Sequence, residues 1–109
     1  MIVILFRSKL TPAAGVDYTQ TSDALESYVK TRPGFVAVKS FTAEDGERLT
    51  IVRWKDRETL EQWRTDPKHV SAKNTGRECW YEYYKMEVAE VFRESKFERS
   101  MYEEAGRNS

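Results

Sequence analysis

The stretch FVAVKSFTAEDGERLTIVRW, residues 35–54, decides the fold. Two runs rich in β-branched and aromatic residues, 35–43 and 48–54, flank Glu44-Asp45-Gly46, the residue types of a tight turn, so the stretch predicts two antiparallel strands paired locally. Pro33-Gly34 lies just ahead of it and breaks any preceding helix, and Asp56 just after it is a candidate N-cap for a following one.

Working outward, residues 2–8, IVILFRS, form a short apolar run that reads as a strand covered on both faces. TPAAGVD, 11–17, is a loop, after which Asp17 or Thr19 can cap a helix running to about Arg32. Tyr18, Leu25, Tyr28 and Val29 make its apolar stripe, with Gln20, Asp23, Glu26 and Lys30 opposite. On the other side a helix over 57–65 places Leu60 and Trp63 one turn apart, and Asp66-Pro67 interrupts it. His69 to Asn74 suits a further helical piece closed by Gly76 as a left-handed cap. Residues 79–92, CWYEYYKMEVAEVF, alternate as one long strand, with Tyr81 and Tyr83 on the face opposite to Tyr84, Met86 and Val88.

The order is β-α-β-β-α-β, which predicts an α+β, ferredoxin-like fold with two helices on one face of a four-stranded antiparallel sheet. The other face would then leave apolar residues in water, and a face-to-face homodimer covers them. Residues 1–92 make the expected domain, and 93–109, with Phe97, Met101 and Tyr102 among alternating charges, an amphipathic extension laid on its own domain or on the partner.

Composition narrows the function classes. Eighteen basic and eighteen acidic residues cancel, which argues against nucleic acid or an anionic membrane as partner. One Cys and one His cannot make a zinc site. Cys79, without a local basic pair to lower its thiol pKa, reads as a small buried hydrophobe, and a lone Cys fits a reducing cytoplasm. MIVILFRSKL is too short in apolar residues for a signal-peptide core or a span. Gly34, Gly46 and Gly76 are too scattered to cradle a phosphate, and Gly15 and Gly106 do not change that.

IVILFRS, RPGFVAVKSF, EDGERLTIVRW and LEQWRTDPKHVSAKNTGRECWYEYY, taken together, resemble the antibiotic biosynthesis monooxygenase superfamily, small proteins that form dimeric α+β barrels. The resemblance runs from Ile2 to about Phe92 and implies one pocket per subunit between helices and sheet. It admits several activities: cofactor-free oxidation of polyketide aromatics, quinol oxidation, haem degradation, and members with no assigned activity. The haem-degrading branch implies a strand-1 Asn, a helix-2 Trp and a His after an Ala. Trp63 matches the Trp, but Phe6 and Lys73 stand where the Asn and the axial His would be, and an ammonium has no lone pair for iron. His69 instead matches the wider superfamily's P-x-H-x-x-A pattern, here PKHVSA.

The first reading is therefore a homodimeric, cofactor-independent monooxygenase-like protein that uses molecular oxygen on a small aromatic or quinol substrate, with no bound cofactor or metal. Trp63 and His69 are its candidate catalytic residues, and Phe6, Trp63, Lys73, Arg77 and Tyr81 its candidate substrate-pocket residues. A Trp could stack on the ring, His69 or a tyrosine could take a proton, and Arg7, Arg53, Arg77 or Lys73 could stabilise the anion. Each has a plainer role: Trp63 as core, His69 as a helix-start residue, Arg77 in an ion pair with Glu78 or a partner carboxylate. The second reading is a non-catalytic dimeric ligand-binding or stress-associated protein, and haem degradation ranks third.

Overall fold

The computed structural model describes residues 1–100. Four strands and three helices follow in the order β1 (Ile2–Leu10), α1 (Val16–Val29), β2 (Phe35–Thr42), β3 (Arg48–Trp54), α2 (Arg57–Arg64), α3 (Pro67–Thr75) and β4 (Tyr81–Glu90), with a π-helical turn, Gly76–Trp80, between α3 and β4. The strands form one antiparallel sheet in the order β2-β3-β1-β4, the ferredoxin-like α+β arrangement.

The hairpin forms as its residue types require. Gly46 takes φ +90°, Ala43 N–H donates to Glu47 O, and Gly46 N–H to Ala43 O. Gly34, at φ +79°, ends the preceding turn, and its carbonyl accepts from Lys55 N–H at 2.8 Å, which ties the start of β2 to the end of β3. Asp56 caps α2 by accepting from Thr59 N–H at 2.9 Å, and Asp66 caps α3 by accepting from Lys68 N–H at 2.9 Å, with Pro67 at the first helical position.

On β1 the even residues Ile2, Ile4, Phe6 and Ser8 face the helices. Trp54, fully buried, packs there with Ile2, Ile4, Val29, Leu60 and Trp63, and Leu25, Tyr28, Phe35 and Val52 close around it. The odd face carries Val3, Leu5, Leu49 and Ile51, bordered by Arg7, Lys39, Lys85 and Glu87. Among the described residues no helix is long and apolar enough to cross a membrane.

Several expectations need correction. Helix α1 starts at Val16, capped by Gly15 without a side chain, because Asp17 and Thr19 already lie inside the first turn, and it ends at Val29 rather than Arg32. Strand β4 starts at Tyr81, not Cys79, since Gly76–Trp80 wind as a π turn pinned to β1 by Thr11 N–H donating to Trp80 O at 2.8 Å and Thr11 Oγ1 to Cys79 O at 2.9 Å. Gly76 is therefore right-handed, with φ −58°, and its lack of a Cβ serves the Tyr81 ring, which lies where that carbon would be. Cys79, on the turn, is exposed rather than buried. Tyr81 faces the helices with Tyr84, not away from them: β1 advances from Lys9 to Leu10 while β4 steps from Tyr83 to Tyr81, so Glu82 is an extra residue that reverses the alternation. Beyond β4 the backbone is irregular over 91–98, with Phe92 92% exposed, and Met101 and Tyr102 of the expected extension lie outside the described residues.

Candidate functional site

Between the helices and the sheet lies a cavity of about 480 Å³. Its floor is the even face of the sheet, where residue pairing across strands sets Arg48, Ser8 and Tyr84 side by side in one row and Thr50, Phe6 and Met86 in the next. Helix α1 supplies one wall, and α2 and α3 the other.

Two aromatic groups lie beside it, one at each end of α1, the first reaching the cavity through Trp63 and His69 alone. At the C-terminal end, Tyr28, Trp54, Trp63 and His69 pack together. Trp63 is 8% exposed, and its ring stacks on the His69 imidazole with centroids 4.6 Å apart and an interplanar angle of 24°, while Trp54 and Tyr28 lie at 6.0 and 5.9 Å. Tyr28 donates its hydroxyl proton to Asp66 at 2.6 Å, so the cap of α3 is also the fastener that holds α1 beside it. That hydrogen bond keeps the Asp66 carboxyl below its usual pKa. The His69 Nδ1 is buried without a hydrogen-bond partner among the described residues, and the imidazole is pushed below its ordinary pKa first by burial and then by the Lys73 ammonium. It is neutral near pH 7.

At the N-terminal end of α1, Tyr18, Trp80, Tyr81, Phe6 and Tyr84 form a second group. Centroid separations are 5.4 Å for Tyr18–Trp80, 6.4 Å for Tyr18–Tyr81, 5.7 Å for Phe6–Tyr81 and 5.4 Å for Phe6–Tyr84. Arg48, the first residue of β3, donates from Nη1 to the Tyr18 hydroxyl at 2.7 Å. Burial pushes the Tyr81 hydroxyl up to about 12, with the neighbouring Tyr18 adding to it, so Tyr81 is a proton donor and not a base. Trp80 donates its indole N–H to Asp17 at 3.3 Å, which lowers the pKa of that carboxyl.

Of the residues singled out from sequence, Phe6, Trp63, His69, Lys73 and Tyr81 all border the cavity. Arg77 does not; its Nε donates to the Tyr84 hydroxyl at 2.7 Å, so it touches the site only through a ring of the wall. Arg7 points to the opposite face of the sheet and pairs with Glu47 at 2.8 Å, and Arg53 shares that face. The residues that sequence reasoning missed are Arg48, Tyr18 and Tyr84. Tyr18 stood in the apolar stripe of a helix, and the one available signal for Arg48 was its even-numbered place on a strand whose Thr50 and Val52 face inward.

The family model for antibiotic biosynthesis monooxygenase matches residues 1–75. YqjZ, an uncharacterized protein of Bacillus subtilis (strain 168), is 34% identical over 83 residues, which cover 76% of this chain and 73% of that protein. Among solved structures, Rv0793 from Mycobacterium tuberculosis superposes with a TM-score of 0.75 at 18% identity, over 87% of this chain and 98% of that one. SnoaB, a cofactor-independent oxygenase from Streptomyces nogalater, does so with a TM-score of 0.71 at 13% identity, over 85% and 94%. At such identities the structures speak for the fold alone. The family match reaches from the first strand through the third helix, across both parts of the chain that wall the cavity, and on that ground the chain belongs to the antibiotic biosynthesis monooxygenase family.

Proposed function

We propose that the chain is a cofactor-independent monooxygenase-like protein that oxidises a small aromatic or quinol substrate in the cavity under its helices. One observation carries this reading: a neutral His69, stacked on Trp63, sits on the wall of an aromatic-lined cavity of about 480 Å³. A neutral imidazole on such a wall can accept a phenolic proton through its unprotonated ring nitrogen, and an apolar surround excludes water from the resulting anion. An electron-rich aromatic anion reduces oxygen directly. For a hydroquinone, one oxygen atom adds to a ring carbon and the other leaves as water, with all four electrons drawn from the substrate, so the product is a hydroxyquinone. Trp63, stacked on His69 and buried in the core, holds the imidazole in orientation and forms the back of the cavity.

The working form is a homodimer joined through the odd face of the sheet, where Leu5, Ile51 and Leu49 lie in a patch that one chain leaves uncovered. The alternative, a dimeric ligand-binding protein without turnover, keeps every contact above and differs only in chemistry.

Oxygen uptake with a panel of hydroquinones and polycyclic phenols tests the reading. Uptake above the uncatalysed rate that falls at least tenfold in His69→Gln is the expected result. No uptake across the panel favours the binding protein. Trp63→Ala is a poor probe, since truncating a buried Trp costs about 3–5 kcal/mol of stability on its own, and Trp63→Phe serves better.

A further inference from the structure

The two ends of the cavity differ in kind. Tyr18 and Val29, which line them, are eleven residues apart on α1, a separation of about 16.5 Å along the axis at 1.5 Å per residue. The Trp63–His69 end carries the neutral imidazole with the Lys73 ammonium and the Arg64–Glu61 pair around it. The Tyr18 end offers donors: the Arg48 guanidinium, the Tyr81 hydroxyl kept protonated by burial, and the Ser8 hydroxyl next to Arg48 in the same cross-strand row.

Arg48 is the element that calls for a guest. It is half-buried on the cavity wall, with Tyr18 as its hydrogen-bond acceptor, and makes no ion pair among the described residues. The nearby acids are otherwise disposed. Asp17 takes the Trp80 indole, Glu47 takes Arg7 and Tyr83 on the far face of the sheet, and Asp23 and Glu26 line the cavity about 7 and 12 Å farther along α1. Because the Tyr18 oxygen already accepts from Arg48, its own proton is left to be donated. A guanidinium has five donors and one is used here, so a partly desolvated cation with spare donors beside two or three hydroxyls is suited to an anionic oxygen, not a neutral one.

We infer that Arg48, with Tyr18 and Tyr81, is the anion-recognising end of the cavity, and that its ligand is a flat aromatic bearing one anionic oxygen, a phenolate or carboxylate. The ring lies among Phe6, Tyr84 and Trp80, and the anionic oxygen is held by Arg48 and the Tyr81 hydroxyl, which is at the opposite end from His69. The inference rests on the cavity being a ligand site, as proposed above, and not on oxygen chemistry.

Binding of two probes of similar size, 2-naphthoate and the neutral 2-methylnaphthalene, followed by calorimetry in the full chain, tests it. The wild type is expected to bind 2-naphthoate at least tenfold more tightly than the neutral probe. Arg48→Met is expected to remove that preference while leaving the neutral probe within about twofold, and Tyr81→Phe to weaken 2-naphthoate alone by several-fold; both follow from loss of a charge-assisted hydrogen bond. Arg48→Lys, which keeps the charge, is expected to restore part of the preference. Equal affinity for the two probes in the wild type, an Arg48→Met variant that keeps the preference, or no binding of either probe overturns the inference. Anion-selective binding lost in Arg48→Met, in a chain that consumes no oxygen, upholds it while the oxygenase reading fails.

Discussion

His69 shows how much one side chain can settle. The sequence placed it beside a helix start; the structure adds that its ring lies on Trp63 and that one nitrogen has no partner. Burial holds its pKa below the ordinary imidazole value of about 6.5, so the unfolded chain takes up a proton over a pH range in which the folded chain does not. Stability therefore rises with pH through that window, is fully present above about 6.5, and is lost as pH falls toward the lowered folded value. We expect the thermal midpoint of the wild type to drop between pH 7.5 and pH 5.5 and His69→Gln to flatten the slope; equal slopes in differential scanning calorimetry would remove His69 as its cause. Arg48 shows the opposite case. Nothing near it in the sequence marks it, because its partner Tyr18 is thirty residues away and the two meet only when α1 packs over β3. Of Arg7, Arg53, Arg77 and Lys73, the basic residues the sequence offers as anion holders, Lys73 alone borders the cavity.

At the scale of elements, the hairpin and both capped helices were legible because turn glycine, alternating apolar runs and Asp caps are local signals. The entry into β4 was not. A π turn and a bulge each insert a residue without altering composition, and alternation continues through both, so the pattern alone puts Cys79 in the strand and Tyr81 on the wrong face. The two glycines with positive φ separate backbone strain from crowding. At Gly46 an added Cβ meets nothing within 4 Å, so Gly46→Ala is expected to cost about 1 kcal/mol from φ alone. At Gly34 the same carbon would overlap the side chain of Thr59, whose hydroxyl and N–H both bond to the α2 cap Asp56, so Gly34→Ala is expected to cost about 2–4 kcal/mol. Urea midpoints for the two variants check the order, and equal shifts would mean that Thr59 moves aside freely.

For the whole molecule, the sheet topology and its helix-covered face followed from element order, whereas the covering of the other face did not, since a single chain shows only that Leu5, Ile51 and Leu49 lie there among charges. Light scattering on a sizing column is expected to give twice the 12.8 kDa chain mass for the wild type and a single-chain mass for Ile51→Glu. The new carboxylate has Lys39 as its cross-strand neighbour, so the monomer keeps its fold, which circular dichroism confirms or denies. A wild type of single-chain mass would rule out the dimer. The extra residue in β4 also matters for descent. A lineage that loses Glu82 does not exchange one side chain for another; it rotates Tyr81 from the cavity to the far face of the sheet. Ligand preference among such chains can then change by insertion and deletion as well as by substitution, and correspondences across Gly76–Tyr83 have to be drawn from position in space rather than by counting along the chain.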